Sequence, residues 1–67
     1  MYPGLPKITL KAARVNAGLT QSEAAEKLGI SQRQLLVWEK HPGIIKTKYL
    51  PKISEVYDYP KDLIIFE

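Results

Sequence analysis

Two helix-start signals eleven residues apart constrain this chain more than any other feature it carries. Thr20-Gln21-Ser22-Glu23 matches the capping box, in which a Thr hydroxyl and a Glu carboxylate each meet a free backbone N–H of the first turn. Ser31-Gln32-Arg33-Gln34 matches it a second time. Starts this close leave room for one short helix, at about 21–28, and a tight turn. Gly29 stands where that turn must fall, and glycine takes positive φ without a Cβ penalty. A second helix then runs from about 32 to 40.

The rest of the chain is organised around this unit. Residues 1–6 hold two prolines and a glycine and read as a flexible lead-in, with 7–67 as one domain. From Lys7 the pattern turns helical: Leu10, Ala13 and Ala17 recur at helical spacing, Thr9 is available as a cap and Gly18 as a stop. Lys40-His41-Pro42-Gly43 breaks the pattern, and 41–47 read as a loop in which Gly43-Ile44-Ile45 could be extended. Leu50, Ile53 and Val56 or Tyr57 mark a fourth helix, with Pro51 in its first turn where a missing N–H costs little. Pro60 opens a fifth short helix carrying Leu63 and Ile64. The expectation is an all-α fold of five helices with no strand, no internal repeat and no low-complexity tract.

Composition narrows the function classes. At 67 residues the chain fits one domain, and so small a domain needs an efficient core or a staple. It has no cysteine, which excludes a disulfide and a cysteine-based zinc site, and its single His41 cannot build an ordinary metal site. Hydrophobic content of 45% with 25% charged residues is globular rather than disordered. No wholly apolar run exceeds four residues, as in Leu63-Ile64-Ile65-Phe66, far short of a membrane span. Met1-Tyr2-Pro3-Gly4-Leu5-Pro6 lacks the apolar centre of a signal peptide, so a cytoplasmic location is expected. An enzyme is disfavoured: there is no cysteine and no glycine-rich phosphate loop, and Ser22, Ser31 and Ser54 have no histidine nearby in sequence. The net charge of +3 is only a mild pointer to nucleic acid.

Residues 21–39 form a coherent unit. Ala24, Ala25, Leu28, Ile30, Leu35 and Trp38 are its small or apolar positions. Ala25 permits close approach of the second helix, and Leu28, Ile30, Leu35 and Trp38 bury the inner faces. Two helices joined by a short glycine turn make a helix-turn-helix. The pattern Leu10…Arg14…Gly18-Leu19-Thr20-Gln21…Ala25…Leu28-Gly29-Ile30-Ser31…Leu35…Trp38-Glu39 resembles the Cro/repressor-type, or XRE, helix-turn-helix family of bacterial and phage DNA-binding regulators. The resemblance covers roughly residues 7–66. Its most specific pieces are Gly-Leu-Thr-Gln at 18–21, Leu-Gly-Ile-Ser at 28–31 and Trp-Glu at 38–39. It implies a compact five-helix, lambda-repressor-like domain with its helix-turn-helix at about 21–39. It also implies double-stranded DNA as partner, a homodimer on a palindromic operator, no cofactor or small-molecule ligand, and residence at the nucleoid.

The resemblance also implies roles for individual residues. Gln32, Arg33, Gln34 and Val37 stand where relatives reach base edges in the major groove. Glutamine can bond adenine twice and arginine guanine twice, whereas the alternative is a solvated helix start. Val37 and its neighbour Leu36 depart from the usual polar residues. Val37 could pack on a thymine methyl, make no specific contact, or belong to a protein-binding patch. Thr20, Gln21, Ser31, Lys46, Thr47 and Lys48 stand where relatives touch the phosphate backbone, with solvated lysines as the alternative for Lys46 and Lys48. Lys7 and Lys11 could extend the basic face, Lys40 complements a helix dipole, and Lys52 and Lys61 read as solvated. Arg14 and Glu39 match an ion pair of relatives. Trp38 reads as core, and Tyr57 and Tyr59 read as core or a dimer contact rather than a stacking platform that would include Tyr49. The tail would leave Ile65 or Phe66 exposed as a dimer contact, with fraying as the alternative. The expected function is a sequence-specific regulator, a repressor or Cro-like protein. The rival is an adaptor of the same fold, antirepressor-like or antitoxin-like, that binds proteins.

Overall fold

Hydroxyl side chains start the first three helices. In the computed structural model, which describes residues 4–66, Thr9 Oγ1 accepts from the backbone N–H of Ala12 at 3.1 Å and opens α1, Leu10–Asn16. Thr20 Oγ1 accepts from Glu23 N–H at 3.1 Å and opens α2, Gln21–Leu28. Ser31 Oγ accepts from Gln34 N–H at 3.0 Å and opens α3, Gln32–Lys40. The fourth helix, α4, Leu50–Tyr57, grows instead out of a 3₁₀ turn at Thr47–Tyr49, with Pro51 in its first turn.

Three helices end alike. Gly18, Gly29 and Asp58 take left-handed φ values of 76°, 74° and 50°. In each case the next residue's N–H reaches back five positions: Leu19 to Arg14 O at 3.2 Å, Ile30 to Ala25 O at 3.0 Å, and Tyr59 to Ser54 O at 3.2 Å. This Schellman closure satisfies otherwise stranded carbonyls. It also explains why Gly18 and Gly29 sit where they do.

Among the described residues four α-helices form, not five. Two short strands, β1, Ile8–Thr9, and β2, Ile64–Ile65, pair in parallel, with Ile8 opposite Ile64 and Thr9 opposite Ile65. The expected fifth helix is a 3₁₀ turn at Lys61–Leu63 that runs into β2. All four paired residues are β-branched, stiff at χ1 and better suited to extended backbone than to a single helical turn. The helical pattern that begins at Lys7 becomes α1 at Leu10, behind the Thr9 cap that the sequence offered. The stretch Gly43-Ile44-Ile45 is a 3₁₀ turn over Pro42–Ile44 and becomes extended only at Ile45. Of the expected lead-in at 1–6, residues 1–3 lie outside the described part, as does Glu67.

The core draws on every helix. Leu10 and Ala13 of α1, Ala24, Ala25 and Leu28 of α2, Leu35 and Trp38 of α3, and Ile53 and Tyr57 of α4 are buried together with Ile45, Tyr59 and Ile64. Adjacent alanines at 24 and 25 let the neighbouring helices approach closely. Tyr59 fastens the chain ends: its hydroxyl donates to Pro6 O, while its own carbonyl accepts from Ser54 Oγ at 2.6 Å. Tyr57 is 1% exposed, and its hydroxyl is buried without a partner among the described residues. Burial, with the nearby Glu39 charge acting in the same sense and Arg14 opposing, pushes that phenol up to about 12.

Candidate nucleic-acid interface

The helix-turn-helix consists of α2, the Gly29 turn and α3. Leu35 and Trp38 anchor α3 inward at 0% and 4% exposure. Its opposite side is thereby committed to solvent. Arg33 and Val37 fall on that side, Gln32 and Gln34 are exposed at its flanks in the first turn, and Leu36 and Val37 are each 38% exposed. The first capping box is complete, because Glu23 also accepts from Thr20 N–H at 2.9 Å. Those hydrogen bonds hold the Glu23 carboxyl below its usual range, and Lys27 adds to this. The second box is half-made: Ser31 caps α3, but among the described residues the Gln34 side chain makes no return bond. The Gln34 amide is therefore unspent.

A buried network fixes α3 to the rest of the domain. Arg14 Nε of α1 donates to Glu39 Oε2 of α3 at 2.6 Å, with side chains only 9% and 6% exposed. Arg14 Nη1 also donates to the Leu19 carbonyl at 2.8 Å. Gln21 Nε2, at the start of α2, donates to the other oxygen of Glu39 at 3.1 Å. One carboxylate thus ties three helices. Sequence reasoning reached Arg14 and Glu39 through the resemblance but missed Gln21 as a member. One N–H of the Gln21 amide is thus directed inward, to a carboxylate, in addition to the capping or phosphate contact that the resemblance implies for it.

Lys46, Thr47 and Lys48 are all exposed just before α4. Lys48 Nζ lies 5.3 Å from the Tyr49 ring centroid, a cation–π distance. Tyr49 in turn packs on Trp38, with ring centroids 5.0 Å apart and planes at 59°. This stacking draws the basic loop against α3. Ile30, Ser31, Gln34, Trp38, Ile44, Lys46 and Tyr49 line an open cleft of about 420 Å³ between them. Ser31 and Lys46, two expected phosphate contacts, therefore share a wall with Gln34, an expected base contact. Thr20 is exposed beside its cap. Tyr57 and Tyr59 are buried in the core. Ile65 and Phe66, expected to be exposed, are half-buried, because Ile65 lies in β2 and Phe66 packs against the core. Among the described residues no group of His, Asp and Glu is arranged to hold a metal ion.

Two helices joined by a short glycine turn, with the start of the second exposed, define the helix-turn-helix class of domain. The helix-turn-helix family model matches residues 10–64, and the chain belongs to that family. It is similar to the HTH-type transcriptional regulator ImmR of Bacillus subtilis strain 168, at 41% identity over 56 residues that cover 84% of this chain and 44% of that protein. The chain thus spans less than half the length of that relative. No solved structure matches it.

Proposed function

We propose that this protein is a sequence-specific double-stranded DNA-binding transcriptional regulator, repressor-like or Cro-like, that lays α3 in the major groove. The observation that carries the reading is the two-sidedness of α3. Leu35 and Trp38 bury its inner face, and Gln32, Arg33 and Gln34 stand exposed in its first turn, with Lys46, Thr47 and Lys48 exposed just before α4. Gln32, Arg33, Gln34 and Val37 read bases, and Thr20, Gln21, Ser31, Lys46, Thr47 and Lys48 set register on phosphates. One short recognition helix reads a short half-site, so a homodimer on a palindromic operator supplies the remaining specificity. Ile65 and Phe66, each with part of its surface free, are its contact candidates. The regulator works at the nucleoid, in the cytoplasm.

A specific observation favours the adaptor reading. Leu36 and Val37, adjacent on α3, are each 38% exposed, apolar side chains where a groove-reading helix would carry polar ones. Selection of duplexes from a random pool, followed by binding assays over a salt series, separates the two. The regulator reading expects a symmetric selected site and affinity that falls steeply with salt. Gln32→Ala and Arg33→Ala should relax base preference, whereas Lys48→Ala should weaken all duplexes alike and reduce the salt slope by about one. Absence of binding to random duplex at low salt would leave the adaptor.

A further inference from the structure

We infer that Glu39 is a positioning residue for DNA contact: it aims the Gln21 side-chain amide from inside the domain. The inference rests on the DNA-binding reading above and concerns how one of its phosphate contacts is prepared. A carboxylate only accepts hydrogen bonds, so the Gln21 nitrogen, not its oxygen, must face Glu39, at 3.1 Å. That bond fixes the plane of the amide. The second N–H of the same nitrogen then points away from the buried carboxylate, on the half-exposed start of α2.

Glu39 is suited to the task because it cannot follow Gln21 outward. Its other oxygen is held by Arg14 at 2.6 Å, and Arg14 is held by the Leu19 carbonyl at 2.8 Å. The Arg14 charge also balances that of Glu39, so the carboxylate behind Gln21 does not repel an approaching phosphate. A glutamine free at a helix start would lose rotamer freedom on binding. Here that ordering is completed during folding, and the contact forms with less loss.

The test combines wild-type spectroscopy with a mutant cycle. In the free wild-type chain, NMR should show the Gln21 side-chain amide exchanging more slowly than the exposed amides of Gln32 and Gln34. Indistinguishable exchange would overturn the proposal, and this measurement stands even if a variant fails to fold. Binding to a random-sequence duplex at low salt supplies the second arm. Gln21→Ala should weaken it about tenfold in the wild-type background, as expected for one charge-assisted hydrogen bond. In the Arg14→Met/Glu39→Leu background, where apolar groups replace the pair, the same change should cost at most about twofold. Equal costs in the two backgrounds would overturn the positioning role and leave the phosphate contact standing. No cost in the wild-type background would remove the phosphate contact of Gln21, and the proposal with it.

Discussion

Arg14→Met should come close to unfolding this protein. The structure sets the magnitude. Arg14 and Glu39 are 9% and 6% exposed in their side chains, so removing the guanidinium strands a buried carboxylate. Such a loss costs about 3–5 kcal/mol. A chain of 67 residues has roughly 3–10 kcal/mol of total stability. Its unfolding entropy, at about 2.1 cal/mol/K per residue, is about 0.14 kcal/mol/K over 67 residues. Even a loss of about 3 kcal/mol therefore lowers Tm by roughly 20 °C. The double variant Arg14→Met/Glu39→Leu should recover most of the loss, because apolar groups of similar size fill the space without an unpaired charge. Thermal melts followed by circular dichroism measure both. A fall of less than about 5 °C for Arg14→Met, or a double variant as unstable as the single, would refute the reasoning.

Two further outcomes concern the C-terminal part of the fold. Tyr57→Phe removes a buried hydroxyl that has no partner among the described residues, so it should leave stability unchanged or raise it by up to about 1 kcal/mol in denaturant titrations. The Tyr57 phenol is pushed up to about 12 from an ordinary value of 10.0. Stability is therefore insensitive to this group below pH 10 and falls as pH rises toward about 12, since the unfolded chain deprotonates first. The alkaline fall in stability should be shallower in Tyr57→Phe, and an unaltered fall would count against this account. Asp58→Gly should raise stability by about 0.5–1 kcal/mol, because Asp58 holds φ 50° at the end of α4 where glycine carries no Cβ penalty. A lower melting point would contradict it.

The helix-turn-helix was legible in the sequence because its determinants are local. Thr20 and Glu23, Ser31 and Gln34, and the Gly29 turn are separated by a few residues, and their chemistry acts at that range. The outward face of α3 followed from the burial of Leu35 and Trp38. What escaped was non-local. The pairing of Ile8 with Ile64 joins opposite ends of the chain, and a two-residue strand has no periodicity to read. An apolar run that suggested a helix is instead half of a ladder. The bond from Gln21 to Glu39 spans two helices and depends on how they pack, so residue types alone could not supply it. The second capping box is only half-made for a simpler reason: Ser31 caps the helix, and a Gln at the third position permits the return bond without requiring it.

The pairing of β1 with β2 gives the two ends of the domain a shared fate. Thr9 is at once a strand residue opposite Ile65 and the cap of α1, and α1 carries Arg14 into the network that holds α3. Fraying that begins at Ile65 thus removes support from Thr9, and fraying from the front removes support from Ile64. In most small helical domains the termini loosen independently and cheaply. Here they act as one latch, and opening it from either side slackens the first link of the chain of contacts that steadies the recognition helix.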